Sequence, residues 1–158
     1  MPKKVKISTQ HFINKLKDSL PASVTPNQIV AAWNAMILEF PLEKIALLER
    51  LSNQKRIFLL SNTNDIHIQK VARELAKVSD KKLNEYFEKV YLSHEIQQRK
   101  PYPETFLEVC KWNDLDPSET LFIDDSLQHV EGAKKAGLHA AHLKPGYGLK
   151  EILEEFIP

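Results

Sequence analysis

The hydrophobic residues of the chain change their spacing near residue 40. Residues 8–40 carry helical spacing only: "ISTQHFINKLKDSL" repeats apolar side chains three and four positions apart. The next segment, "VTPNQIVAAWNAMILEF", opens with Thr25 as a helix cap and Gln28 three residues later, and its helical period continues to Met36 and Ile37. The pattern predicts a helical hairpin over residues 8–40.

From Pro41 onward, amphipathic helical segments alternate with short apolar strands. The predicted strands are, in chain order, "RIFLLSN", "KVYLS", "TLFIDD" and "LHAAHL". The predicted helices are "PLEKIALLERLSNQ", "DIHIQKVARELAK", "PETFLEVCKWND", "LQHVEGAKKAG" and "GLKEILEEFI". Short strands joined by crossover helices imply a parallel sheet with helices on both faces. The sequence therefore predicts an α/β fold, doubly wound, with residues 41–158 as its core.

Length and charge narrow the class of protein further. A chain of 158 residues fits one domain, or one domain with a small appendage. A net charge of +1 gives no reason to expect nucleic acid or an anionic membrane as a partner. Its apolar stretches are too short to span a bilayer, and "MPKKVK" leads into no apolar signal core. The single cysteine, Cys110, cannot form an internal disulfide, so we expect a cytoplasmic protein.

Polar residues follow the first two predicted strands, where an open parallel sheet binds its ligands. Ser61 and Asn62 end the first strand, ahead of a helix whose N-terminus would suit a phosphate. The alternative is that the residues up to Asp65 only cap that helix. After the second strand, Lys100 is held extended by Pro101. It could neutralise a phosphate or a carboxylate, or be an ordinary solvated lysine.

Two adjacent carboxylates, Asp124 and Asp125, follow the third strand. At about 4 Å, two such charges repel by about 4 kcal/mol at an effective dielectric constant of 20. A shared cation would remove this repulsion, and Mg²⁺ typically takes one or two carboxylates together with waters and substrate phosphate. The alternative is that Asp125 or Ser126 caps the helix that starts near Leu127.

Other chemically versatile side chains are interpreted as structural. Trp33, Met36 and Trp112 stand at helical spacing among apolar neighbours, which favours packing. Cys110 has no base near it in the sequence, so we do not expect a nucleophile there. The histidines fall on different elements and form no metal-binding pair; they stand at positions 11, 67, 94, 129, 139 and 142.

Taken in order, these fragments resemble the haloacid dehalogenase (HAD) superfamily of hydrolases, most of which are phosphatases. "IFLLSN" is similar to its second motif, "RKPYPETF" to its third, and "TLFIDDSLQHVEGAKKAGL" to its fourth. The resemblance covers residues 41–158. Residues 8–40 are less specifically similar to the end of a helical cap inserted after the family's first strand.

The resemblance implies a Mg²⁺-dependent phosphatase that acts on a small phosphorylated metabolite through an aspartyl-phosphate. By this resemblance, Ser61 and the Asn62 backbone would bind the phosphoryl group, and Lys100 would stabilise negative charge on it. Asp125 would bind Mg²⁺ directly, and Asp124 would hold a metal-bound water or orient the metal shell.

The sequence departs from the family in its first motif, a central strand that ends in an Asp-x-Asp-like sequence with the nucleophile. The first aspartate of the chain, Asp18, falls in a predicted helix, and "KVKI" is a poor candidate for a buried strand. Without that strand, the strands carrying Ser61 and Asp124 would each keep an open edge. We expect these edges to pair with each other or with another segment or protein, unless the sequence is incomplete. His129 stands where the family often has a small amide or acid, and its role is open.

Two functional hypotheses follow. The first is a HAD-like hydrolase that is inactive or impaired as this chain, because the nucleophilic aspartate is missing. The alternative is a non-catalytic protein that binds a phosphorylated ligand or a protein partner through Ser61, Lys100 and the helix N-termini.

Overall fold

The computed structural model of the chain describes residues 8–146 and 148–156. The segment "KVKI" lies outside the described residues. The helices and strands are, in chain order, α1 (Thr9–Asp18), α2 (Pro26–Asn34), α3 (Leu42–Ser52), β1 (Phe58–Ser61), α4 (Asp65–Leu75), β2 (Lys89–Leu92), α5 (Ser93–Ile96), α6 (Pro103–Trp112), β3 (Leu121–Asp124), α7 (Leu127–Lys135), β4 (His139–His142) and α8 (Leu149–Phe156). Short 3₁₀ helices precede β2 and β3, at Leu83–Glu85 and Pro117–Glu119.

The strands form two parallel pairs, and they lie in two compact units that divide after Gln97. In the first unit β1 pairs with β2, so that Ser61 lies opposite Leu92. In the second unit β3 pairs with β4, so that Asp124 lies opposite His142. Each sheet has two strands among the described residues. The predicted α/β fold with parallel strands is confirmed.

The first unit has two apolar clusters, one that includes α1 and α2 and one that includes α3. The helical hairpin α1–α2 packs against α4 through the buried side chains of Ile13, Ile29 and Ile66. A second cluster joins α3 and the end of α4 to the segment before β2; its buried members are Ile45, Leu75 and Tyr86. The predicted division at residue 40 stays a prediction about domain organisation.

The second unit is built around α7, which contacts β3, β4 and α6. Its buried side chains are mostly apolar, and most of these are small or β-branched. The fully buried or nearly fully buried members include Phe106, Val109, Val130, Ala133 and Ala141. Small residues such as Ala133 let the helix lie close to the strands, which brings the carboxyl end of β3 next to the start of α7.

Most helices begin where the sequence predicts, because their caps are local. The Thr25 side chain accepts a hydrogen bond from the Gln28 amide at 3.3 Å, and Gln28 accepts one from the Thr25 amide at 2.8 Å. The predicted length of α2 is wrong, since the helix ends at Asn34 and Met36 is 66% exposed. Pro41 imposes an extended conformation on the residue before it, and the chain turns after Asn34 to reach it.

The sequence interprets Trp33 and Met36 as packing residues, and the structure gives the two side chains different surroundings. The Trp33 ring packs edge-on against Phe12, at 4.7 Å between centroids, and stacks on His67 at 5.7 Å. Packing is confirmed for Trp33 and wrong for Met36, which lies beyond the helix end. Across residues 8–146 and 148–156, no helix has the length and apolar character that a bilayer span requires.

Candidate active site

Lys100 and Asp124 form a buried ion pair in the second unit. The Lys100 ammonium Nζ donates a hydrogen bond to Asp124 Oδ2 at 2.6 Å, and the two side chains are 8% and 9% exposed. Nζ also lies 5.3 Å from the centroid of the Phe122 ring. Phe122 stands two residues before Asp124 on β3. Lys100 precedes α6 and Asp124 ends β3. The structure therefore brings together two of the site residues that the sequence predicts. Charge-assisted contacts of this kind are short and strong.

The second oxygen of Asp124 is also occupied. Oδ1 accepts a hydrogen bond from the Ser126 amide at 2.8 Å and lies 3.0 Å from His129 Nδ1. Since an ionised carboxylate only accepts, Nδ1 carries the proton in this contact. Burial by itself would raise the pKa of Asp124, but the bond from Lys100 and the contacts of Ser126 and His129 hold that pKa below its ordinary value.

The neighbouring carboxylate, Asp125, has different surroundings. Its side chain is exposed and makes no hydrogen bond or ion pair with a described residue. Only its backbone carbonyl is engaged, because His142 Nε2 lies 3.0 Å from that oxygen. The strand end therefore carries one carboxylate that is saturated by protein groups and one that faces solvent.

The start of α7 does not follow the capping alternative. Ser126 occupies the N-cap position, but no side chain caps the helix. The first bond of the helix instead uses the Ser126 carbonyl, which accepts from the His129 amide at 3.0 Å. The interpretation of Asp125 or Ser126 as a side-chain cap is therefore wrong, which leaves the acidic pair to be explained by another role.

A glycine of α7 lets the helix touch the segment that carries Lys100. A Cβ atom at Gly132 would lie 2.1 Å from the carbonyl oxygen of Pro101 and 2.9 Å from its carbon. Real side chains do not approach backbone atoms this closely, so only glycine fits here. The helix thus supports the Lys100–Pro101 segment from below, while His129 on the same helix contacts Asp124.

Ser61 and Asn62 lie in the first unit, at the carboxyl end of β1. Ser61 is half-buried and its hydroxyl makes no hydrogen bond to a described residue, whereas Asn62 is exposed. The helix-capping alternative holds for Asn64, whose side chain accepts from the His67 amide at 3.1 Å. The cap of α4 therefore uses Asn64 and not the Ser61 hydroxyl.

The donor set at the end of β3 suits a hard cation. Asp125 presents carboxylate oxygens, the ligands that Mg²⁺ prefers, to solvent. Asp124 beside it is a second carboxylate, whose oxygens already contact Lys100, Ser126 and His129. Among the described residues there is no group of three or more acidic, histidine or cysteine side chains placed to hold a metal. The exposed carboxylate of Asp125 fits a Mg²⁺ ion that keeps several waters and takes only one or two carboxylates from the protein.

The surroundings of Cys110 disfavour a reactive thiol. Cys110 lies in α6 and is 3% exposed. Burial raises the pKa of its thiol above the ordinary value, which disfavours the thiolate that a nucleophile needs. Asp18, the one aspartate before Ser61, lies in a helix as the sequence predicts; it is the last residue of α1 and is exposed.

Three site residues were outside the predicted set. His129 differs from the residue that the family often has at this position, and its contact with Asp124 spans five residues across a strand-to-helix turn. The Ser126 amide and Gly132 are backbone features that residue type does not reveal, although the "EGA" segment marks a close approach.

Comparison with known proteins gives one family. The family model of haloacid dehalogenase-like hydrolases matches residues 4–137. The chain is 32% identical over 148 residues to a D-ribitol-5-phosphate phosphatase of Bacteroides thetaiotaomicron, covering 94% of this chain and 72% of that protein. It is 32% identical over 69 residues to a phosphoglycolate phosphatase of Escherichia coli, covering 44% of this chain and 27% of that protein.

Solved structures agree with this match. A HAD family enzyme from Bacteroides thetaiotaomicron, in complex with magnesium and inorganic phosphate, superposes with a TM-score of 0.86 at 35% identity, covering 95% of this chain and 76% of that one. A HAD-like family hydrolase from Porphyromonas gingivalis superposes with a TM-score of 0.86 at 28% identity, covering 99% and 77%.

Proposed function

The chain belongs to the haloacid dehalogenase-like hydrolase family, and from that membership we propose that it carries the phosphate-handling residues of a Mg²⁺-dependent phosphatase acting on a small phosphorylated metabolite. The observation that carries the proposal is the buried pair of Lys100 and Asp124 beside the exposed carboxylate of Asp125. The Bacteroides relative, named as a ribitol phosphate phosphatase, supports a sugar-alcohol phosphate as the first substrate to test.

Lys100 would stabilise negative charge on the phosphoryl group during transfer. Its ammonium is fixed by Asp124 and buried, so little reorganisation is needed when charge develops on a neighbouring oxygen. The carboxylate that fixes it stays ionised at neutral pH, because its pKa lies below the ordinary value despite burial. His129 and the Ser126 amide would keep that carboxylate in one orientation.

The acidic pair would hold the metal. Asp125 would bind Mg²⁺ directly, and Asp124 would orient the shell around it through the oxygens that also contact Lys100 and His129. When bound, Mg²⁺ supplies positive charge that offsets the charge of the phosphoryl oxygens. Ser61 and the Asn62 backbone would donate hydrogen bonds to the phosphoryl group.

Turnover needs a nucleophile that these residues do not supply. By the family resemblance, a carboxylate oxygen attacks phosphorus while the ester P–O bond breaks, and the leaving alkoxide takes a proton from water. A water molecule then cleaves the aspartyl-phosphate to the free carboxylate and inorganic phosphate. Asp18 is the one aspartate before Ser61, and it is exposed at the end of a helix. We therefore propose that these 158 residues bind phosphate with Mg²⁺ but hydrolyse esters slowly or not at all.

Binding and turnover are tested separately. We expect calorimetric binding of inorganic phosphate in the presence of Mg²⁺, weakened about tenfold or more by Lys100→Met, since hydrogen bonds to charged groups contribute about 1.5–3 kcal/mol. Asp125→Asn should remove the Mg²⁺-dependent part of the binding. Lys134→Met, on the exposed side of α7, is the matched control. Absence of phosphate binding by a folded wild-type chain would contradict the proposal.

The non-catalytic alternative is tested by hydrolysis of D-ribitol 5-phosphate and of an aryl phosphate with Mg²⁺. We expect turnover that is slow or equal to a buffer blank. Mg²⁺-dependent turnover that Asp125→Asn abolishes would overturn the purely binding alternative, and it would point to a nucleophile that the sequence pattern does not reveal.

A further inference from the structure

We propose that Ser93 and His94, directly after β2, are positioning residues that fix the Ser61–Asn62 segment in a phosphate-binding conformation. This inference rests on the proposed function of that segment. Ser93 ends the predicted strand "KVYLS" and His94 follows it, but neither residue stands in the three fragments that resemble the family motifs. Both act through a third residue, Thr63, which lies directly after the two residues assigned to the phosphoryl group.

Ser93 holds both backbone groups of Thr63. The Thr63 amide donates to Ser93 Oγ at 3.1 Å, and Ser93 Oγ donates back to the Thr63 carbonyl at 3.1 Å. A hydroxyl has one proton and two lone pairs, so a single serine can make both bonds at once. Residues separated by 30 positions are thereby tied together at the same end of two paired strands.

His94 makes the second contact with the same carbonyl. Its Nδ1 lies 3.2 Å from the Thr63 oxygen, and its Nε2 lies 3.0 Å from Asp65 Oδ1. The imidazole side chain is 16% exposed, whereas Asp65 is 49% exposed, so the ring is mostly buried but its contact with Asp65 lies at the surface. His94 therefore links the middle of the loop to the first residue of α4.

The loop that these residues hold has three residues, from Asn62 to Asn64. Its beginning is fixed because Ser61 pairs in register with Leu92, the residue before Ser93. Its end is fixed because the Asn64 side chain caps α4. Thr63 is the loop residue between these two fixed ends. Ser93 bonds to its backbone amide and carbonyl, and His94 contacts the same carbonyl. The Ser61 hydroxyl and the Asn62 amide are thus presented by a backbone with little freedom left.

Preorganisation predicts a loss of affinity that a purely structural role does not. If Ser93 only contributed to stability, its removal would lower the unfolding temperature and leave phosphate affinity unchanged. If it positions the loop, its removal lets Thr63 move. Part of the binding free energy is then used to order Ser61 and Asn62, so the affinity for phosphate falls. The two roles are separated by measuring affinity on folded protein.

The experiment compares Ser93→Ala with Ser93→Thr, which keeps the hydroxyl, and with Ser52→Ala, a control on the exposed end of α3. Binding of inorganic phosphate with Mg²⁺ is measured by calorimetry, and loop order by backbone ¹⁵N relaxation at residues 62–64. We expect Ser93→Ala to weaken phosphate binding about tenfold, because both hydrogen bonds to Thr63 are lost. Ser93→Thr should recover most of the affinity, and Ser52→Ala should equal the wild type.

A second pair of variants tests His94. An asparagine at position 94 can donate to the Thr63 carbonyl, whereas an alanine cannot. His94→Asn should therefore bind phosphate more tightly than His94→Ala. Equal affinities for these two variants, together with an unchanged affinity in Ser93→Ala, would overturn the positioning role.

The outcomes distinguish the inference from the function on which it rests. If Ser61→Ala abolishes phosphate binding and Ser93→Ala leaves it unchanged, the proposed function stands and the positioning role is wrong. If the folded wild-type chain binds no phosphate, the proposed function fails, and the positioning role fails with it. Increased motion at Thr63 in Ser93→Ala, with affinity lowered and then recovered by threonine, supports both.

Discussion

Two neighbouring aspartates with the same chemistry have opposite surroundings in this chain. Asp124 is 9% exposed on its side chain and has a protein partner on each oxygen, whereas Asp125 is exposed. Sequence could predict that the pair ends a strand, because the apolar run before it is local. It could not predict which of the two is saturated, because Lys100 approaches from 24 residues away.

Removing the cation from the buried pair tests its energetic role. Lys100→Met leaves the Asp124 carboxylate buried without its main partner, so we expect the free energy of unfolding to fall by about 3 kcal/mol. Lys134→Met removes a lysine from an exposed pair with Glu131 and should cost less than about 1 kcal/mol. Guanidinium chloride unfolding measures both.

A double variant separates lost attraction from unpaired charge. Lys100→Met combined with Asp124→Asn removes the stranded charge, and it should be more stable than Lys100→Met alone. If the double variant is no more stable than the single one, the cost does not come from an unpaired buried carboxylate.

Among the helices and strands, beginnings were predicted better than ends. Thr25 and Asn64 announce helix starts through side chains that bond within three residues. The end of α2 depends on how the chain reaches Pro41, and α5 is a single turn whose residues Ser93 and His94 are held by the loop after β1. Such ends are set by partners distant in sequence, which local periodicity does not record.

Gly132 lies where α7 contacts the segment that carries Lys100. Gly132→Ala places a methyl group against the Pro101 carbonyl, and the strain should exceed the gain in helix propensity. We expect the free energy of unfolding to fall by about 1–2 kcal/mol. In Gly148→Ala the nearest atoms belong to the flexible Glu151 side chain, so this control should change stability by less than about 0.5 kcal/mol. Equal effects from the two variants would contradict the close contact.

An acidic residue of α4 should give the first unit a defined response to acid. Glu74 is 4% exposed and accepts hydrogen bonds from Lys70 at 2.5 Å and Lys77 at 2.7 Å. These bonds hold the pKa of Glu74 below its ordinary value. Because the folded pKa is the lower one, the stabilisation is fully present above the unfolded pKa and is lost as pH falls through the folded pKa.

Glu74→Gln is therefore expected to be less stable than the wild type at pH 7, and the difference should shrink as the pH is lowered below about 4. Thermal unfolding across pH measures the difference. Glu155→Gln, at an exposed position of α8, is the control substitution. A difference that is constant with pH would mean that the ion pairs of Glu74 do not stabilise the fold.

At the scale of the whole molecule, the predicted fold followed from the alternation of helices and strands, since each element announces its own period. The candidate site was predicted where strand ends carry polar residues, which identified Ser61, Lys100 and the acidic pair. Contacts such as Ser93 to Thr63 join residues 30 positions apart and depend on strand register. Sequence alone does not give that register.

Ligand binding should stabilise the whole chain if the proposed function is right. A ligand present at about 100 times its dissociation constant adds about 2.7 kcal/mol to the free energy of unfolding. We therefore expect Mg²⁺ with inorganic phosphate to raise the unfolding temperature, measured by calorimetry. Asp125→Asn should lose the increase, and Lys134→Met should keep it. An equal increase in Asp125→Asn would place the ligands elsewhere.

The saturation of Asp124 has a consequence for how two ligands depend on each other. With Lys100, Ser126 and His129 on its oxygens, Asp124 contributes little net negative charge, and Asp125 is left as the exposed charge at the end of β3. One exposed carboxylate attracts a cation and repels an anion. Mg²⁺ and phosphate should therefore bind cooperatively, and thermodynamic linkage requires each to tighten the other by the same factor.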